Sequence, residues 1–81
     1  MLKLKIVTPE RIAYDGEAKS VLVPGMMGQF EILTDHAPII SSLDKGIVVY
    51  ETRDGKQQLS VSGGFVAVQQ NEVSICVEVN D

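Results

Sequence analysis

The chain has 81 residues, of which 44% are apolar, and a formal net charge of −4 at pH 7. This length supports one small domain, predicted over residues 1–81, and the apolar fraction is too high for a disordered chain. Acidic and basic residues are mixed and form no basic stripe, which argues against a nucleic-acid partner. Cys76 has no second cysteine to bond, and with the only histidine, His36, it gives too few ligands for a structural zinc site.

The N-terminal part predicts short β-strands. From residue 2 to residue 6, leucine or isoleucine alternates with lysine, as in a strand with one buried face. Pro9 ends this strand. A short strand over residues 11–15 is predicted to turn at Asp15-Gly16, and the next strand is predicted over residues 18–23.

The segment from Val23 to Pro38 interrupts the alternating pattern. A strand ends at Pro24-Gly25, and Met26, Met27 and Phe30 follow within a few residues. Methionine adapts well to partner surfaces, so the segment predicts an ordered loop whose apolar side chains point outward to contact another protein. The alternative is that these side chains fill a local core beneath the loop.

The C-terminal part predicts a series of hairpins. Arg53-Asp54-Gly55-Lys56 favours a type I′ turn between strands over 47–52 and 57–62. The Gly63-Gly64 pair is expected to interrupt the next strand with a bend or bulge, because the apolar phase changes from odd to even there. Gln70-Asn71 predicts the last turn, before a regular amphipathic strand over 73–79.

No window has the apolar spacing of a helix, and turn residues recur about every ten positions. The sequence therefore predicts an all-β fold, a flattened β-sandwich or barrel of about ten short, mostly antiparallel strands. No run approaches the ~20 apolar residues of a membrane-spanning helix, so any membrane link is expected to go through a partner.

A few residues could suggest a chemical function. Asp35-His36 with Ser41 or Ser42 could suggest a hydrolase, but adjacent residues in extended chain point apart, so Asp35 is badly placed to orient His36. No nucleotide-binding glycine motif or calcium-loop spacing is present, so no catalytic, cofactor-binding or metal-binding residue is predicted. Lys45 in Asp44-Lys45-Gly46 invites comparison with lipoyl-type carrier domains, but Gly46 stands where they have alanine and no matching flank precedes Asp44, so an ordinary turn lysine is favoured.

A set of motifs in fixed order runs from residue 2 to residue 79. It includes Ile6-Val7-Thr8-Pro9-Glu10, Val21-Leu22-Val23-Pro24-Gly25, Gly28-Gln29-Phe30-Glu31-Ile32-Leu33, His36-Ala37-Pro38, and Val61-Ser62-Gly63-Gly64-Phe65-Val66-Ala67-Val68-Gln69. With these motifs the chain resembles the N-terminal β domain of the ε subunits of bacterial F-type ATP synthases.

The resemblance implies a non-catalytic rotor subunit of the central stalk, without a cofactor. Such a subunit links the γ subunit to the ring of membrane c subunits, comes transiently near the α/β head, and couples proton translocation to ATP synthesis. It would lie at the cytoplasmic face of the bacterial plasma membrane and reach the membrane only through the complex. The resemblance places the c-ring contact at Met26, Met27, Gly28, Gln29 and Phe30, and the γ contacts at Thr8, His36 and Ser41.

The chain also departs from the family pattern. Gln29 stands where relatives often have a glutamate, and Thr34-Asp35 stands where they commonly have Pro-Gly. The sequence ends at Asp81, so the C-terminal helical hairpin of many relatives is expected to be absent. A freestanding β-sandwich binding module remains the alternative to the rotor subunit.

Overall fold

The computed structural model describes residues 1–79, so the last two residues of the predicted domain, Asn80 and Asp81, lie outside the described residues. Residues 1–79 contain strands and no helix, which confirms the all-β prediction. The strands are β1 (Leu2–Val7), β2 (Ile12–Ala18), β3 (Ser20–Gly25), β4 (Gly28–Ile32), β5 (Ile39–Leu43), β6 (Gly46–Thr52), β7 (Gly55–Gln69) and β8 (Glu72–Val79). There are eight in this part of the chain, fewer than the ten predicted.

Part of the difference arises at the Gly63-Gly64 pair. The register of β7 against β8 shifts between Val61 and Gly63, as expected for a bulge, but the strand continues for 15 residues. Two predicted strands are therefore one. A Cβ on Gly64 would lie 2.1 Å from the carbonyl oxygen of Cys76, so only glycine allows the strands to approach this closely.

The predicted turn at Asp15-Gly16 is wrong. Both residues pair in register with β1 inside β2, and the chain bends at Lys19 instead. Tyr14 explains the glycine, because its hydroxyl oxygen would lie 2.9 Å from a Cβ on Gly16. The same hydroxyl donates a hydrogen bond to the Glu17 carbonyl oxygen at 2.7 Å.

The hydrogen-bonded strands fold into two layers because the long strand β7 belongs to both. Sheet I contains β2, β1, β8, the C-terminal half of β7, and β5; sheet II contains β4, β3, β6 and the N-terminal half of β7. All pairs are antiparallel except β1 with β8, which run parallel. Strands β2 and β4 lie at opposite ends of the strand order and do not pair with each other, so the sandwich is not a closed barrel.

The core lies between the layers, and each of the eight strands contributes at least one buried side chain. Fully buried aliphatic side chains such as Leu4, Val23 and Ile75 each contribute about 1.5–3 kcal/mol of hydrophobic free energy. Tyr50 on β6 packs against Tyr14 on β2, with ring centroids 4.9 Å apart. Burial, and secondly the neighbouring Tyr14, raises the pKa of the Tyr50 hydroxyl, while Arg11 acts in the opposite direction.

The tight turns differ from one another in backbone geometry. Gln70 and Asn71 both have positive φ, 50° and 62°, which is the requirement of a type I′ turn. Arg53 and Asp54 lack positive φ, which falls instead on Gly55 at 107°. The type I′ prediction for that hairpin is therefore wrong, because the loop has the pattern of a hairpin closed by a glycine bulge.

Candidate partner interface

An exposed hairpin, called here the methionine hairpin (residues 24–29), joins β3 to β4. The strands pair as far as Gly25 and Gly28, so Met26 and Met27 alone form its tip. Met26 is 59% exposed and Met27 is 102% exposed. The prediction of outward apolar side chains is confirmed for both methionines, and the alternative of a local core is wrong for them.

The methionine hairpin is held firmly at its base. The Met26 N–H donates to the Ser42 carbonyl oxygen at 3.1 Å, and the Asp44 N–H donates to the Pro24 carbonyl oxygen at 2.8 Å. A Cβ on Gly25 would lie 2.8 Å from the Phe30 ring, so that ring packs closely on the hairpin backbone. Phe30 is half-buried against the core, which makes it a support for the tip rather than part of it.

The histidine segment (residues 33–38) connects β4 to β5. The His36 N–H donates to the Leu33 carbonyl oxygen at 3.1 Å, and the rings of His36 and Phe30 lie 6.5 Å apart. The His36 Nδ1 atom lies 2.7 Å from the Ala37 carbonyl oxygen. Because a carbonyl oxygen only accepts, Nδ1 carries the proton in the neutral ring and Nε2 remains an acceptor.

A contact distant in sequence ties the histidine segment to the turn between β7 and β8. The Asp35 N–H donates to Asn71 Oδ1 at 2.6 Å, and Asn71 Nδ2 donates to Asp35 Oδ1 at 3.3 Å. Asp35 has a φ of 67°, in the left-handed region. The Asp35 carboxylate therefore faces Asn71, while the His36 ring bonds to the backbone carbonyl oxygen of the next residue, Ala37.

Two of the residues predicted to contact γ have structural roles of their own. Thr8 is 6% exposed; its hydroxyl donates to the Arg11 carbonyl oxygen at 2.9 Å and accepts from the Arg11 N–H at 3.1 Å. Ser41 is half-buried and pairs in register with the buried Val66. Strands β8 and β7 lie between Thr8 and Ser41 in sheet I, so the structure does not bring these residues together.

An exposed apolar surface, called here the sheet I band, fills the space between them. Val7 pairs with both Ile12 and Cys76, and Cys76 pairs with Phe65, so these four side chains form one row on the outer face. Ile12 is 54% exposed, Phe65 46%, and the nearby Ile40 on β5 80%.

Sequence reasoning missed this band. The signal in the sequence was that apolar residues occupy positions of their strands that alternate with the buried ones and therefore face solvent. That these residues lie side by side follows only from the register of four paired strands.

Polar residues border the sheet I band. On the same outer face Lys3 pairs with Glu17 on one side and with Glu72 on the other. Exposed apolar patches with a polar rim are typical of protein–protein contact sites.

The structure disfavours the other chemical functions. Asp35 bonds to Asn71 rather than orienting His36, so the residues do not form a hydrolase triad. Lys45 is exposed on a connection between β5 and β6, which do not pair with each other, so it is not at the hairpin tip of a carrier domain. Among residues 1–79, no group of three or more His, Cys, Asp or Glu side chains could hold a metal ion.

Comparison with known proteins agrees with this fold. The protein-family model for the β-sandwich domain of the ATP synthase delta/epsilon chain matches residues 1–80. The chain belongs to this family. The resemblance drawn from the sequence motifs is thereby confirmed.

Curated relatives of this delta/epsilon-family chain carry the name ATP synthase epsilon chain. The relative from Leptospira interrogans is 42% identical over 77 residues, which cover 95% of this chain and 61% of the relative. That from Gloeothece citriformis is 42% identical and matches 94% of this chain and 55% of its own length. The chloroplast epsilon chain of Tupiella akineta is 40% identical, over 94% of this chain and 58% of the relative. The chain thus spans little more than half the length of these relatives.

Solved structures share the fold. A chain in the Euglena gracilis mitochondrial ATP synthase superposes with a TM-score of 0.87 at 24% identity, over 94% of this chain and 49% of that one. A chain in the Tetrahymena thermophila mitochondrial ATP synthase central stalk and c-ring superposes with a TM-score of 0.78 at 18% identity, over 95% and 63%. Within residues 1–79, no helix is long and apolar enough to cross a membrane.

Proposed function

We propose that this chain is a non-catalytic central-stalk subunit of an F-type ATP synthase. It links the γ subunit to the c-ring and turns with them, so that proton translocation is coupled to ATP synthesis in the α/β head. The observation that carries this proposal is the family match over residues 1–80 together with relatives named ATP synthase epsilon chain. The subunit is peripheral, at the cytoplasmic face of the bacterial plasma membrane, and contacts the membrane only through the complex.

The methionine hairpin is the proposed c-ring contact. Met26 and Met27 form the convex tip, Gly28 and Gln29 form its exposed side, and Phe30 supports it from below. Met26, Met27, Gly28 and Gln29 carry no charge, so the contact depends on apolar burial and on hydrogen bonds of Gln29 rather than on ion pairs. An interface of this kind weakens little when the salt concentration rises.

The sheet I band and the residues at its two ends are the proposed γ contact. The band reaches from the Thr8 loop after β1 to the Ser41 strand, and His36 lies just before that strand. Exposed Phe65 and Ile40 supply apolar area, and the His36 Nε2 atom supplies a hydrogen-bond acceptor. Thr8 and Ser41 take part mainly by shaping the backbone around them, because their side chains are largely occupied within the chain.

The proposal is tested by assembly. Purified chain is mixed with the γ subunit from the same organism and analysed by size exclusion, and the resulting complex is then added to purified c-ring. The expected result is a stable complex with γ that is retained on the c-ring. A Phe65→Asp/Ile40→Asp variant should lose γ, whereas Glu17→Gln/Glu72→Gln, changes on the same face outside the band, should keep it.

Failure of the unmodified, folded chain to bind γ would contradict the rotor function and favour a freestanding binding module. Circular dichroism of each variant establishes that the β-sandwich is intact, which separates a lost contact from a lost fold.

A further inference from the structure

The histidine segment has few contacts of its own to fix its shape. Residues 33–38 belong to no strand, and the backbone hydrogen bond from the His36 N–H to Leu33 closes only a single turn. Leu33, Ala37 and Pro38 are exposed. A segment with so few buried contacts samples other conformations unless something outside it restrains it.

Asn71 supplies that restraint from 36 residues away. Its side-chain amide accepts from the Asp35 N–H and donates to the Asp35 carboxylate, so one side chain fixes both the backbone and the side chain of Asp35. The backbone carbonyl oxygen of Asn71 also accepts from the Lys3 N–H at 2.8 Å. Asn71 is therefore anchored to β1 in the core sheet while it holds the segment.

The conformation that is held is one that an isolated chain populates rarely. Asp35 has a φ of 67°, and L-residues adopt this left-handed region only at a cost. The reciprocal pair of hydrogen bonds offsets that cost. Without Asn71, the backbone at Asp35 is free to leave this region, and the following residue, His36, moves with it.

We propose that Asn71 is a positioning residue, which acts through Asp35 to hold the histidine segment in the conformation that binds γ. This inference rests on the proposed function, in which His36 is part of the γ contact. When only a fraction of molecules has the binding-competent conformation, the apparent dissociation constant rises by the inverse of that fraction. If loss of the Asn71 amide leaves the segment competent about a tenth of the time, γ binding weakens about tenfold.

The main test is Asn71→Gly. Asn71 has a φ of 62°, which glycine adopts freely, so the turn is kept while both hydrogen bonds to Asp35 are lost. The His36 N–H donates to Leu33 within the segment and does not contact Asn71, so its amide hydrogen exchange in the free chain reports release of the segment, while calorimetry with γ reports the affinity. We expect faster exchange at His36, a chain that stays folded at the temperature of the binding measurement, and about tenfold weaker binding of γ.

An exchange of the two side chains provides the matched control. Asn71→Asp alone places two carboxylates face to face and should also weaken γ binding. Asp35→Asn/Asn71→Asp restores one amide and one carboxylate in swapped positions, and should recover the parental affinity to within about twofold. Recovery would show that the paired hydrogen bonds, and not the side chain at position 71 by itself, support γ binding, and unfolding temperatures of all variants separate this from a change in fold stability.

Each outcome decides between the two proposals. Parental affinity in Asn71→Gly despite faster exchange at His36 would overturn the positioning role, as would unchanged exchange at His36. If the swap fails to restore binding, the reciprocal hydrogen bonds are not the relevant feature. If the parental chain itself does not bind γ, the proposed function fails, and the positioning role fails with it.

Discussion

The β3–β4 hairpin and the β6–β7 hairpin have the same backbone pattern but opposite side-chain chemistry. Each has a two-residue tip followed by a glycine of positive φ, 123° at Gly28 and 107° at Gly55. The tip of the β3–β4 hairpin is Met26-Met27. The β6–β7 hairpin is called here the charged hairpin, because its tip is Arg53-Asp54. Because Arg-Asp satisfies the same geometry, folding does not require apolar residues at the first tip, and their exposure points to a contact with another molecule.

The role of the methionine tip is tested most directly by transferring the tip residues of one hairpin to the other. Met26→Arg/Met27→Asp gives the methionine hairpin the tip of the charged hairpin, and we expect its β-sandwich to remain intact. Retention on the c-ring should weaken about thirtyfold or more, since burial of an apolar side chain contributes about 1.5–3 kcal/mol.

Arg53→Met/Asp54→Met, the reverse change, should leave c-ring retention unaltered. Equal retention by the first variant, measured by co-sedimentation with c-ring vesicles, would place the contact elsewhere on the chain.

Gly28 and Gly55 allow a test of whether the two hairpins share the same backbone geometry. Nothing lies within 4 Å of a Cβ at Gly28 or at Gly55, so alanine there meets no clash and its cost is conformational. Gly28→Ala and Gly55→Ala should each lower the free energy of unfolding by about 1–2 kcal/mol. Urea denaturation measures both, and values that differ by more than about 1 kcal/mol would mean that the hairpins do not share one geometry.

The third hairpin offers a smaller effect of opposite sign. At the β7–β8 turn, Gln70 has a φ of 50° without any side-chain hydrogen bond among those of the described residues. Gln70→Gly should raise the free energy of unfolding by about 0.5–1 kcal/mol, because glycine adopts this φ without strain. Thermal unfolding tests this, with Gln69→Gly in the preceding strand as a control that should destabilise.

The smallest effect expected near the charged hairpin depends on pH. Tyr50 on β6 has a raised pKa in the folded chain, so the unfolded chain loses this proton first as the pH rises. Its contribution to stability is complete below the ordinary tyrosine pKa of about 10 and is lost as the pH passes through the raised value. Tyr50→Phe should flatten the decline of unfolding free energy above about pH 10, and an unchanged slope would assign the decline to other groups.

The local part of this structure was predictable from the sequence, and the pairing across strands was not. The outward methionines were one of two alternatives that the sequence left open, and the bulge at Gly63-Gly64 followed from a change of apolar phase. The type of the turn at Asp54-Gly55 was predicted wrongly. The sequence does not tell whether Gly55 lies within the two-residue tip, as in a type I′ turn, or directly after it, as the structure shows. The Asp35–Asn71 contact and the sheet I band could not be predicted, since both depend on which strands become neighbours.

The parallel pairing of β1 with β8 has a consequence for how the chain acquires its fold. Strand β8 lies between β1 and β7, so the β1–β2 hairpin has no neighbour in sheet I until β8 pairs with β1. A nascent chain that has emerged from the ribosome only as far as β7 keeps the residues of β1 exposed. Sheet I is therefore expected to be completed only after β8 has emerged, and until then the unpaired edges of the β1–β2 hairpin are open to aggregation.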